Sequence, residues 1–135
     1  MLEAVIDTNV FISGLLKGGT TGKIIDALTN NKFRLITSHE LLDELNFTSS
    51  TPPLSLLIPE FERIALIEFI KEEAHFVNVS HPLSICRDPK DNIFLACALK
   101  ARAHLVTGDK DILVLSSEFK DLHICTPSEF LALLT

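Results

Sequence analysis

Short apolar runs and helical patterns alternate along this chain from end to end, and that alternation constrains its fold more than any other feature. Ala4-Val5-Ile6, Phe33 to Thr37, Phe76 to Val79, Leu105-Val106-Thr107 and Leu122 to Thr126 read as five strands. Between them lie helical patterns: Val10 to Leu16, stopped by Gly18-Gly19, then a second opening at Thr20-Thr21-Gly22 with Ile24, Ile25 and Leu28 on one face. Ser38 is placed to cap a helix running through Leu45. Within Asn46 to Pro59, Thr-Ser-Ser-Thr-Pro-Pro (Thr48 to Pro53) reads as a loop. Phe61, Ile64, Ala65, Ile67 and Phe69 give Glu60 to Ala74 one broad apolar face. Ser80 to Lys90 is a loop with two prolines, Ile93 to Ala103 a mostly buried helix, and Asp111 to Leu115 a short helix or turn. Pro127 opens a last short helix. Strands joined by helices predict a three-layer α/β/α sandwich on a central parallel sheet of about five strands, with right-handed crossovers.

A length of 135 residues suits a single domain over 1–135, without an internal repeat or linker. No apolar run approaches the roughly 20 residues that cross a bilayer, and Met1-Leu2-Glu3 does not open a signal peptide, so no membrane association is expected. Cys86, Cys97 and Cys125 form no CxxC pair or zinc spacing and read as reduced thiols in a cytoplasmic protein. Eighteen acids against twelve bases give a net charge of −6, which argues against coating nucleic acid by bulk charge. It leaves open an enzyme whose acids hold a metal and whose bases are local.

In a parallel sheet, strand ends and the starts of the following helices share one edge, where ligands bind. Asp7 ends the first strand, Asp109 follows the fourth, Asp91 opens the helix before it, and Glu44 lies on the helix after the second. Helical geometry separates Glu44 from its neighbours. It lies about 110° from the centre of the Leu41, Leu42, Leu45 stripe, against about 150° for Glu40 and Asp43.

Taken singly, each acid has an ordinary explanation. Asp7 and Asp109 could cap turns, Asp88 could cap a helix with Pro89 at its first position, and Asp91 would then suit the helix dipole. Glu44 alone is a surface helix residue. Together, unpaired carboxylates at one sheet edge would repel unless a cation sat among them, and an all-oxygen site suits Mg²⁺ or Mn²⁺.

Four segments carry a resemblance. They are Val5-Ile6-Asp7-Thr8-Asn9-Val10, Ser38-His39-Glu40-Leu41-Leu42-Asp43-Glu44-Leu45, Asp88-Pro89-Lys90-Asp91-Asn92-Ile93 through Ala96-Cys97-Ala98, and Leu105-Val106-Thr107-Gly108-Asp109-Lys110-Asp111-Ile112. In this order they resemble the PIN-domain nucleases, and most of all the small stand-alone toxin components of toxin–antitoxin pairs. The resemblance implies hydrolysis of single-stranded RNA with Mg²⁺ or Mn²⁺, leaving a 5′-phosphate and a 3′-hydroxyl. It implies a cognate antitoxin and a homodimer, for which the apolar residues of 54–70 could serve. Asp7, Glu44, Asp91 and Asp109 match the family's acids as catalytic metal ligands, with Asp111 as an accompanying one. Thr8, Asn9 and Thr107 occupy the positions that orient those acids.

Lys90 and Lys110 flank the acids and are the candidates for substrate phosphates, with Lys17, Lys23 and Arg87 expected on the same edge. His39, His75, His81, His104 and His123 show no metal spacing and read as non-catalytic. Two features depart from the family. Where many relatives carry a basic stretch after the second motif, Asn46 to Pro53 has no base, and the chain has no Tyr or Trp to stack on bases. The competing reading keeps the fold as a catalytically weak module that acts by binding an antitoxin or itself. A phosphatase or phosphoryl receiver fits less well, because Asn9 stands where the former needs a second Asp and the latter lacks its acidic pair.

Overall fold

The computed structural model describes residues 1–79, 89–117 and 121–135, with the backbone alone for 89–92 and 117. Five strands, β1 (Glu3–Ile6), β2 (Arg34–Thr37), β3 (His75–Phe76), β4 (His104–Val106) and β5 (Ile124–Cys125), form one parallel sheet in the order β3-β2-β1-β4-β5. The helices are α1 (Thr8–Lys17), α2 (Gly19–Thr29), α3 (His39–Ser50), α4 (Glu60–Glu73), α5 (Pro89–Ala101), α6 (Lys110–Leu113) and α7 (Pro127–Leu133).

Period-two alternation in the strands divides the core in two. Ala4 and Ile6 of β1, Leu35 of β2, Val106 of β4 and Cys125 of β5 face one way, into a core shared with α1, α2, α3, α4 and α7. Val5, Ile36 and Leu105 face the other way, against Phe94, Leu95, Cys97 and Ala98 of α5 and Ile112 of α6. This is the expected three-layer sandwich. Both faces are covered, which is why the strands read as continuous apolar runs rather than as polar–apolar alternation.

Several boundaries differ from the sequence-based expectation. The helix predicted to end at Leu45 continues to Ser50, into the stretch read as loop. Hydroxyls bond back onto the preceding turn: Ser49 to the Leu45 carbonyl at 2.7 Å, Ser50 to Asn46 at 2.7 Å and Thr51 to Phe47 at 2.6 Å. Ser49 is fully buried, so this last turn packs inward. The helix stops where Pro52 forces Thr51 into extended backbone. The strands β3 and β5 are only two residues long, although Val77 still donates to the Thr37 carbonyl at 2.8 Å. Between α1 and α2 the chain turns at Gly18 and Gly19, both at positive φ, which favours glycine. Among the described residues, no helix is long and apolar enough to cross a membrane. Cys97 and Cys125 are free and buried; Cys86 lies outside the described residues.

Candidate active site

The register of the central strands assembles the site. Ile6 pairs with Val106, so the residues that follow, Asp7 and Thr107, are neighbours at the carboxyl edge of the sheet. The Asp7 amide donates to the Val106 carbonyl at 2.9 Å, extending the ladder by one residue. The Thr107 hydroxyl donates to Asp7 Oδ2 at 2.7 Å, and the Asn9 amide donates to Oδ1 at 3.1 Å. Asp7 is thus the cap of α1 and an acid of the site at once; the two explanations of this residue do not compete.

Thr107 links two acids. While donating to Asp7, it accepts from the Asp109 amide at 3.0 Å, and Asp109 in turn caps α6 by accepting from the Asp111 amide at 2.8 Å. Asp7 and Thr107 are buried, Asp109 is half-buried and Asp111 is exposed. Burial pushes the Asp7 carboxyl above its ordinary range, and the Asp109 charge adds to this. The hydrogen bonds from Thr107 and Asn9 oppose it.

Glu44 joins from α3. It is half-buried whereas Glu40 and Asp43 are exposed, as the helical geometry requires. The buried Thr8 hydroxyl donates to Glu44 Oε2 at 3.3 Å, so Thr8 follows Asp7 in the chain and holds Glu44 in space. Ser38 caps this helix by accepting from the Leu41 amide at 3.2 Å.

Asp91 lies in the first turn of α5, which opens at Pro89 as a proline-first helix should. Its side chain, like that of Lys90, lies outside the described residues, as do Asp88, Arg87 and His81. Among the described residues, no three His, Cys, Asp or Glu side chains gather tightly enough to enclose an ion. Asp7, Asp109 and Glu44 are therefore brought to one edge and tied by threonines, without closing into a complete ligand set by themselves.

Asn9 acts through its backbone. Its side chain is exposed, and its amide, not its carboxamide, orients Asp7. Lys110 is exposed beside Asp109. Lys17 is not on the acidic edge: it ends α1, nine residues and about 14 Å along the axis from Thr8. His75 and His104 begin their strands and His123 precedes β5, all at the opposite edge.

A cleft of about 360 Å³ opens beside the acids, lined by Asp7, Asn9, Val10, Ser13, Thr21, Gly108, Asp109 and Pro127. Sequence reasoning missed Ser13 and Thr21, whose hydroxyls bond to each other at 3.1 Å. Ser13 sits one turn beyond Asn9 on the same face of α1, a spacing that could have revealed it.

The donor set is oxygen only, and among the described residues no Lys, Arg or His forms an ion pair with Asp7. A buried carboxylate without a cationic partner among the described residues suits a hard divalent ion, so the donors present fit one in their chemistry, while the described side chains alone do not enclose it.

A family model described as PIN domain matches residues 3–111. The uncharacterized protein MJ1680 of Methanocaldococcus jannaschii is 34% identical over 139 residues, covering 96% of this chain and 90% of its own length. The crystal structure of VapBC2 from Rickettsia felis bound to a DNA fragment from their promoter is similar in fold. Its TM-score is 0.59 at 14% identity, over 93% of this chain and 98% of that one.

Proposed function

This chain belongs to the PIN-domain family, whose members are typically nucleases that use divalent metal ions, and we propose that it is a Mg²⁺- or Mn²⁺-dependent ribonuclease of the toxin type, cutting single-stranded RNA. The observation that carries this reading is Asp7: a buried carboxylate, fixed by two hydrogen bonds, beside Asp109 and without a protein cation among the described residues. Asp7, Asp109, Glu44 and Asp91 would hold the ion, with Asp111 at the rim. A divalent ion bound there supplies Lewis acidity to the scissile phosphate and acidifies the attacking water.

The chain's own residues do the rest. Thr107 fixes the rotamer of Asp7 and the backbone of Asp109, and Thr8 fixes Glu44, so the acids are oriented before substrate arrives. Lys110 and Lys90 offer charge to the flanking phosphates. The cleft beside Asp7 and Asp109 is where a strand would lie.

As partners, we propose a cognate antitoxin, which the resemblance to stand-alone toxin components implies and the similar fold of VapBC2 from Rickettsia felis, bound to a DNA fragment from their promoter, supports, and a second copy of the chain. The exposed side chains of Leu56, Leu57, Phe61 and Ile64 support a surface of that kind. A small DNA-binding protein encoded beside this one would support the antitoxin.

The test is cleavage of single-stranded RNA with Mn²⁺, with and without EDTA. Wild type is expected to cut only with metal, and Asp7→Asn and Asp91→Asn to be inactive with unchanged circular dichroism. Equal activity in either variant overturns the assignment.

A further inference from the structure

We propose that His39, laid flat on Phe76, is a stacking platform for one base of the single-stranded RNA that the acidic edge cuts. This rests on the ribonuclease reading above and adds a residue that contacts substrate outside the acids. The two rings stack with centroids 4.6 Å apart and planes at 20°. Strand register makes the pair: Thr37 of β2 lies beside Phe76 of β3, Ser38 caps α3, and His39 is the first residue of that helix. Phe76 packs against the core and anchors the stack from below, whereas His39 is exposed. The imidazole is thus held in place before any ligand binds, which reduces the ordering cost of stacking on it.

Place and charge select a base as the occupant. His39 and Phe76 stand at the carboxyl ends of β2 and β3, the edge that carries Asp7, and β3 is two strands from β1, about 10 Å away. Residues His39–Ser50 contain no Lys or Arg, so this helix offers no cationic side chain of its own to a phosphate. Every nucleobase has an uncharged face that stacks on a ring, and stacking does not need the basic stretch that is missing here.

Steady-state cleavage of a short single-stranded RNA by wild type, His39→Ala and His39→Phe tests this. For His39→Ala, KM is expected to rise about fivefold or more while kcat stays within about twofold, and His39→Phe to restore KM. An abasic site stepped along the RNA should raise KM for wild type at one position and leave His39→Ala unaffected there. If wild type cuts RNA and His39→Ala keeps its KM, the platform is wrong and the ribonuclease stands. If wild type cuts no RNA with Mg²⁺ or Mn²⁺, both fall.

Discussion

Thr107 donates its hydroxyl to Asp7 Oδ2 at 2.7 Å and accepts the Asp109 amide at 3.0 Å, so one buried side chain ties together acids one hundred and two residues apart. The link exists because β4 lies beside β1 with Val106 opposite Ile6. Thr107→Val keeps the shape and removes both bonds. The Asp109 amide loses its acceptor and Asp7 its donor, a cost of about 1–3 kcal/mol for unsatisfied polar groups. Urea unfolding should read that loss, and RNA cleavage should fall further than Thr107→Ser, which retains the hydroxyl. Equal midpoints for Val and Ser would show that the bonds contribute nothing.

Asp7 makes metal-free stability fall as pH rises. Its folded pKa is raised above 3.8, chiefly by burial, so the fold favours the neutral acid. The contribution is fully present below the unfolded value and lost as pH rises through the folded one. Asp7→Asn removes that loss, and the metal-free variant should melt higher than wild type at neutral pH. Excess Mn²⁺ should reverse the order: at about a hundredfold over Kd it stabilises wild type by about 2.7 kcal/mol and leaves the variant unmoved. Thermal melts with EDTA and with Mn²⁺ check both signs.

Glu44 and its neighbours on α3 offer an internal control. Glu44→Gln should abolish most RNA cleavage, because Thr8 holds that carboxylate toward the acidic edge. Glu40→Gln and Asp43→Asn are exposed and should leave stability within about 0.5 kcal/mol. Comparable losses of kcat in all three would mean that net charge matters rather than position.

Gly14 packs α1 against α2 with no room for a side chain. A Cβ there would meet Ile25 Cδ1 at 2.7 Å and the Thr21 carbonyl oxygen at 2.8 Å. The isoleucine can turn aside, but the backbone carbonyl cannot without moving α2. Gly14→Ala should therefore destabilise by about 1–3 kcal/mol despite the better helix propensity of alanine. Gly22→Ala, whose nearest neighbour is at 3.8 Å, should be neutral or stabilising. Urea midpoints of the two variants decide.

Local pattern revealed most of this architecture, and tertiary pairing decided what it left open. Ala4-Val5-Ile6 and Leu35-Ile36 announced strands buried on both faces, and the angle of Glu44 from its leucine stripe singled it out from two other acids. The bond between Asp7 and Thr107 was not legible, because a string of strands does not state which are adjacent. The last turn of α3 was misread for a different reason. Ser49, Ser50 and Thr51 favour loops when solvated, yet here their hydroxyls accept helical placement by bonding to the turn before, with Ser49 buried. Asn9 orients Asp7 through its backbone amide, which residue identity alone does not disclose.

His104 and His123 stack across β4 and β5 with centroids 5.1 Å apart, and this pair should set the acid side of the stability profile. Burial lowers the His104 pKa below 6.5, the His123 charge lowers it further, and the Glu3 carbonyl opposes both. A histidine whose folded value is depressed contributes fully above pH 6.5. As pH falls, the unfolded chain takes up the proton first and stability is lost. Asp7 responds in the opposite direction as pH falls, so the measurement must be a difference. His104→Phe keeps a ring against Phe130, whose centroid lies 6.0 Å away, and removes the titration. Between pH 7.5 and 5.5, wild type should lose more stability in urea than His104→Phe. The difference should be under about 1 kcal/mol, because the imidazole is partly solvated and screened. Parallel midpoints in the two proteins would show that the stacked pair does not sense protons.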